Sequence, residues 1–225
     1  MSGGYAFQRL PRLVSSDYPN RRTITLSFLH PPVRQGSSQA LRHLGGYFVD
    51  GDRHTFTPDI WGYLLVKFDL RSVLDLGCGT GVNMKWFKEM GCQVLGVEGC
   101  QTAISQARCS PIAQHDYTQG PYVPDEKFDL CLCTEFVEHV EQKFEDNWFA
   151  TMKSCRYVLM SHAVPGQGGH HHVNEQLADY WVSRFKSHGF DYRHHDSILI
   201  AQTNERVRSP WGRPTLMLFE RIDEL

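Results

Sequence analysis

Val73-Leu74-Asp75-Leu76-Gly77-Cys78-Gly79-Thr80-Gly81 is the stretch from which the rest of this 225-residue chain is best read. Its first four residues form a short apolar run with a single carboxylate, the composition of a buried parallel strand with one functional interruption. A glycine turn follows at once. Without Cβ atoms, Gly77, Gly79 and Gly81 can take positive φ and let a ligand lie against the main chain. Val82 to Met90 reads as the helix beyond, and strand, glycine turn and helix together make a nucleotide-type site.

Spacing and charge choose between the cofactors that use such turns. A dinucleotide fingerprint G-x-G-x-x-G needs glycine at position 82, where this chain has Val82, so the third glycine comes one residue early. A pyrophosphate would also be repelled by Asp75, two residues before the first glycine. S-adenosylmethionine carries a cationic sulfonium and an ammonium group, which suit a carboxylate there. The run D-L-G-C-G-T-G resembles the first motif of the class I S-adenosylmethionine-dependent methyltransferases, and more closely their small-molecule branch once the later motifs are added. The resemblance implies an enzyme with S-adenosyl-L-methionine as cofactor and a Rossmann-like, doubly wound, seven-stranded, mainly parallel α/β sheet whose last strand inserts antiparallel.

Composition excludes several other classes. Apolar residues make up 41% and charged residues 21%, as in ordinary globular domains, and no apolar run approaches the roughly 20 residues that cross a bilayer. Met1-Ser2-Gly3-Gly4 lacks the basic end and apolar core of a signal peptide, so a cytoplasmic protein with no membrane partner is expected. The seven cysteines are scattered rather than arranged as a disulfide framework. Cys131 and Cys133 share a strand face, but C-x-C without a second pair makes no zinc site. Net charge is −2, without the global field of nucleic-acid binders. Arg9, Arg12, Arg21, Arg22, Arg34 and Arg42, with Arg206, Arg208 and Arg213, form basic stretches readable as a solvated surface or as a phosphate-binding patch.

Residues 1–50 read as an extension packed on the main domain, 51–225. Prolines break the extension up, a short strand fits Thr23 to Leu29, and a short helix fits Ser38 to Leu44. Thr57-Pro58-Asp59 opens a helix to about Phe68, with threonine as cap, proline at the first position and an acid at the positive end of the dipole. Strand and helix then alternate. Strands are expected at Val94 to Glu98, Ile112 to His115, Phe128 to Cys133, Tyr157 to Ala163, Asp191 to Ala201 and Thr215 to Arg221. Helices are expected at Thr102 to Ala107, Phe144 to Lys153 and Glu175 to His188, the last with Leu177, Tyr180, Trp181 and Phe185 on one face.

Ligands of such sheets sit beyond the carboxyl ends of the strands. Glu98 ends the second strand and can accept both hydroxyls of an adenosine ribose, with Gly99 small beside it. By resemblance, Asp116 accepts from the adenine amino group, while Tyr117 or its main chain borders the ring. Asp75, Gly77, Cys78, Gly79 and Gly81 complete the cofactor set. Thr134-Glu135-Phe136-Val137-Glu138-His139-Val140 looks like the E-x-x-E-H-V stretch of small-molecule methyltransferases. Glu135 is expected as a pocket wall and His139 as a general base, since imidazole titrates near neutrality, or else Glu138 and His139 cap the following helix and brace the sheet. The loop Pro165 to Asn174 reads as a lid in which His171 or His172 faces the acceptor, or as a plain polar loop. No metal is assigned: of the adjacent His170, His171 and His172, at most two could meet one ion without help from elsewhere.

The leading expectation is methyl transfer to oxygen or nitrogen of a small molecule, such as a sugar-like hydroxyl. RNA or an RNA cap is the alternative acceptor. A catalytically silent cofactor-binding scaffold is the alternative from another class, and a nicotinamide oxidoreductase is disfavoured by Asp75 and Val82. Fold analogy alone does not choose the acceptor, nor does the sequence give an oligomeric state.

Overall fold

The computed structural model describes residues 42–44, 46–52, 55–203 and 215–222. The expected strand at Thr23 to Leu29, most of the helix at Ser38 to Leu44 and nearly all of the basic stretches lie outside these residues. Of that helix, Arg42–Leu44 is a single 3-10 turn.

Helix α1 (Pro58–Phe68) turns Ile60, Trp61, Leu64 and Leu65 inward. Thr57 does not cap it through its side chain. Its carbonyl instead accepts from the main-chain N–H of Ile60 and Trp61, both at 3.1 Å. At the other end Asp69 enters the left-handed region (φ 49°) and the helix stops. The chain then alternates through β1 (Ser72–Leu76), α2 (Val82–Glu89), β2 (Gln93–Glu98), α3 (Gln101–Ser105), β3 (Ile112–Gln114) and β4 (Phe128–Cys133). It continues as α4 (Glu145–Met152), β5 (Cys155–Met160), α5 (Ala178–Ser187), β6 (Phe190–Tyr192), α6 (His194–Thr203) and β7 (Met217–Arg221).

The seven strands lie in the order β3-β2-β1-β4-β5-β7-β6. β1 pairs in parallel with β2 and β4, and β7 runs antiparallel to both β5 and β6. Alternate residues build two cores. Leu74, Leu76, Cys131, Cys133, Val158 and Met160 meet Trp148, Phe149, Trp181 and Phe185 of α4 and α5. Val73, Leu130, Leu132 and Leu159 meet Trp61 and Leu64 of α1, Phe87 of α2 and Ile200 of α6. Cys131 and Cys133 are thus buried among apolar neighbours, and all seven thiols are free.

The largest departure from expectation is at Asp191 to Ala201. Only β6 at its start is strand, and α6 follows. Ile198-Leu199-Ile200 reads as strand by composition, but a short apolar run does not distinguish the two states. Asp196, 2% exposed in the first turn of α6, is paired with Lys67 of α1 and with Arg193, and this tethers the segment as helix. α5 also starts later than expected, because Glu175 and Gln176 are spent on the loop before it. Leu177, expected on its buried face, precedes the helix and is 48% exposed.

Candidate active site

The glycine turn bends at positive φ: Gly77 at 75°, Gly79 at 54° and Gly81 at 75°. This lets Gly77 N–H donate to Val97 O (2.9 Å) and Gly81 N–H to Cys78 O (2.8 Å), closing the turn over the ends of β1 and β2. Two connected cavities open beyond it. One of about 390 Å³ is bordered by Glu98, Gly99, Asp116, Tyr117, Glu135 and His171. The other, about 220 Å³, is bordered by Gly77, Cys78, Thr134, Glu135, His139 and His172. Gly79 borders both.

Glu98 is the hinge of the larger cavity. Its Oε2 accepts from Gly79 N–H and its Oε1 from Cys100 N–H, each at 2.8 Å. Burial pushes the carboxyl up, and the main-chain donors pull it down. Each oxygen keeps a further lone pair for a ligand hydroxyl. Gly99 leaves no room for a side chain: a Cβ would lie 2.5 Å from Leu44 Cδ2. Asp116 Oδ1 accepts from Thr118 N–H (2.9 Å) and Thr118 Oγ1 (2.8 Å), while Oδ2 lies 3.0 Å from His43 Nε2. Burial raises this carboxyl, but the bonds from His43 and Thr118 outweigh it and hold it below the ordinary carboxylate range. Tyr117 contributes mainly backbone. Its ring is 4% exposed and its hydroxyl bonds Thr151 Oγ1 at 2.7 Å.

Asp75 does not border either cavity. Leu74 and Leu76 face the α4 and α5 side, so the alternation of the strand turns Asp75 the other way, toward Met84 at the start of α2. Gly81, likewise outside the linings, starts the helix. Burial, then the charge of Glu98, raises the Asp75 carboxyl to about 7, against a hydrogen bond from Met84 N–H. The folded chain keeps this proton to about pH 7, whereas the unfolded chain releases it near roughly pH 4. The contribution to stability is therefore full at the acid end and lost as pH rises through that window. Asp75→Asn, which cannot ionise, should gain on the parent between pH 4.5 and 7.5 by on the order of 2–4 kcal/mol. Urea midpoints at the two pH values measure this, and a constant difference would mean that Asp75 is charged in the fold.

Beyond β4, Glu135 has φ 52°, rare for a residue with a side chain. Ser161, at the end of β5, holds it there, accepting from Glu135 N–H (2.8 Å) and donating to Oε1 (3.1 Å). Val137–His139 is a 3-10 turn rather than a cap on α4. The rings of His139 and His172 meet edge to face at 5.1 Å. Burial and then the neighbouring His172 lower His139 to about 4, so its imidazole is neutral through the physiological range, and the expected titration near neutrality does not belong to it. His171, at φ 52°, faces the larger cavity instead, with its ring 6.5 Å from that of His43.

The histidine loop is tied down at both ends. Glu175 accepts from Gly166 N–H (2.7 Å) and Gly168 N–H (2.6 Å), and His172 Nδ1 lies 3.1 Å from its Oε1. Glu145, 1% exposed, accepts from Asn174 Nδ2 (2.9 Å), Tyr180 OH (2.7 Å) and Arg184 Nε (2.7 Å). Sequence reasoning missed this network and also the strap formed by residues 43–44 and 46–52. The strap reaches over the turn through Thr80 Oγ1 donating to Val49 O (3.1 Å), the Asp50–Arg108 pair (2.9 Å), and the His43–Asp116 contact. Only Gly46 beside Tyr47 and Phe48 hinted at a segment pressed on a site.

A protein-family model described as a methyltransferase domain matches residues 74–163. The ubiquinone biosynthesis O-methyltransferase of Bradyrhizobium diazoefficiens is 39% identical over 74 residues, which are 30% of this chain and 29% of that one. The chain thus spans about a third of the length of the curated relatives it matches. Among solved structures, an S-adenosylmethionine-dependent methyltransferase from Clostridium acetobutylicum ATCC 824 superposes with a TM-score of 0.60 at 12% identity, over 77% of this chain and 94% of that one. Magnesium protoporphyrin IX methyltransferase from Synechocystis PCC 6803 with bound SAM gives 0.54 at 13%, over 75% and 79%.

Proposed function

We propose that the chain moves the sulfonium methyl group of S-adenosylmethionine to oxygen or nitrogen of a small molecule, a reading supported by the match of residues 74–163 to a methyltransferase-domain model. The observation that carries the reading is the placement of Glu98, bonded to Gly79 N–H at the mouth of the larger cavity, where a ribose can lie across the glycine turn. Gly77, Cys78 and Gly79 line the path toward the smaller cavity for the methionine portion, with Glu135 on the opposite wall. His139 and His172 border the acceptor end, and His171 the cofactor side. A space of about 220 Å³ suits a metabolite-sized acceptor.

Transfer is an in-line displacement: the acceptor atom gains the methyl, and the C–S bonding pair returns to sulfur. Most of the acceleration comes from holding the acceptor close to the methyl carbon and opposite the sulfur. A neutral imidazole beside the acceptor can take its proton, worth a further factor of about 10² to 10⁴ when its pKa lies near the working pH, and His139, lowered to about 4, is a weaker base than that.

Calorimetry with S-adenosylmethionine and with NAD tests the cofactor. Transfer of labelled methyl groups to metabolite, RNA and protein pools tests turnover and acceptor class, and label only in RNA would overturn the small-molecule reading. Binding without transfer to any pool would leave the scaffold reading. Glu98→Ala should weaken S-adenosylmethionine by about 1.5–3 kcal/mol, the range for a hydrogen bond to a charged group. Unchanged affinity in the folded variant would remove the ribose assignment.

A further inference from the structure

We propose that Glu138, His139 and His172 bind a first-row divalent transition-metal ion beside the acceptor end of the smaller cavity. Glu138 is 0% exposed, and neither carboxylate oxygen has a hydrogen-bond partner. Burial and then the charge of Glu135 push this carboxyl up; the main-chain N–H groups of Glu138 and Phe136 pull against that, but neither closes a bond of ordinary geometry. One donor atom from each of Glu138, His139 and His172 lies within 4.8 Å of the other two. His139 Nδ1 is also buried without a partner, while main-chain groups of His170 and His171 engage the ring. Two residues from a turn after β4 and one from the loop after β5 thus converge, supplying the help from elsewhere that the histidine run lacked.

A purely structural role accounts poorly for Glu138. The bracing it provides comes from its main-chain oxygen, which accepts from Val173 N–H (2.9 Å) and Asn174 N–H (3.2 Å). Glu145, equally buried, shows how this fold treats a structural carboxylate, with three donors on its two oxygens. An isolated buried carboxylate costs several kcal/mol unless it is paired, protonated or coordinated, and here no donor closes a hydrogen bond to either oxygen. A cation would satisfy it. Two imidazoles and one carboxylate suit Zn²⁺, Co²⁺, Fe²⁺ or Mn²⁺ better than the all-oxygen preferences of Mg²⁺ and Ca²⁺. Glu175, 3.1 Å from His172 Nδ1, is placed as the carboxylate that orients a ligating imidazole.

The binding claim stands on this geometry, whereas any action of the ion on an acceptor rests on the methyltransferase reading. A bound ion would also take the lone pair of His139, so ligand and base are exclusive roles for that residue.

The test uses the full chain, free of any affinity tag, stripped with EDTA and titrated with Zn²⁺ by calorimetry and with Co²⁺ by visible absorption. One equivalent is expected to bind with Kd below about 10 μM, and Co²⁺ to show ligand-field bands of a nitrogen-containing site. Glu138→Gln, His139→Ala and His172→Ala, each checked for fold by circular dichroism, should weaken binding at least about thirtyfold, while His195→Ala on the exposed face of α6 should not. No saturable binding by the folded parent up to about 1 mM would overturn the proposal, as would parental affinity in folded Glu138→Gln. Should Glu138→Gln not fold, His172→Ala decides by the same criterion. Titrating S-adenosylhomocysteine into the same samples separates the two readings. Cofactor binding without metal binding overturns only the metal, and metal binding without cofactor binding overturns only the methyltransferase.

Discussion

Gly79→Val should lower the affinity for S-adenosylmethionine by a hundredfold or more, about 2.7 kcal/mol, while leaving a folded protein. A Cβ here would have Tyr47 Cβ at 3.6 Å as its nearest neighbour, so the protein itself accommodates it. The new methyl groups instead enter the space shared by the two cavities. Holding a side chain at φ 54° costs about 1–2 kcal/mol, which lowers stability without abolishing the fold. The contrast is Gly77, where a Cβ would stand 2.6 Å from the Phe136 ring and the turn itself would have to shift. Calorimetry on both variants distinguishes them, and a folded Gly79→Val that binds within threefold of the parent would show that the cofactor does not cross this turn.

The second large effect is on stability. Glu145→Ala removes the acceptor of three donors on the loop and α5, and should cost about 2–4 kcal/mol, less than the sum of three bonds because Arg184 is partly solvated. Glu145→Gln keeps one oxygen and should lose about half as much. Urea midpoints measure both. An unchanged midpoint for Glu145→Ala would mean that packing of Trp148 and Trp181 alone holds α4 against α5, with the carboxylate incidental.

The sheet was legible because its strands are apolar runs bounded by glycine and charge, and the order of elements from Val73 to Met160 follows from that punctuation. Local composition misled where a tertiary partner decides the outcome: Ile198 to Ile200 resemble a strand until Asp196 is seen paired with Lys67. At the site, Glu98 and the glycines could be named from the strand-turn-helix pattern, since that geometry leaves them few positions. Asp75 could be named but not aimed, because which way a strand residue points depends on which of its neighbours face which core. The convergence of Glu138 with His172 was not readable at all, as thirty-odd residues and a whole strand separate them and no spacing rule links a turn to a loop.

The insertion of β7 between β5 and β6 bears on how the chain matures. As the chain is synthesised, β1 to β5 can pair among themselves in the order they emerge, but the outer edge of β5 and the edge of β6 that β7 later covers stay open until Met217–Arg221 arrive. During that interval Val158, Leu159 and Met160 present an uncovered apolar strand edge, the kind of surface that recruits other chains. Completion of this sheet is a long-range closure, so nascent chains stalled before residue 217 are the aggregation-prone species, and substitutions in β7 act on yield before they act on the finished molecule.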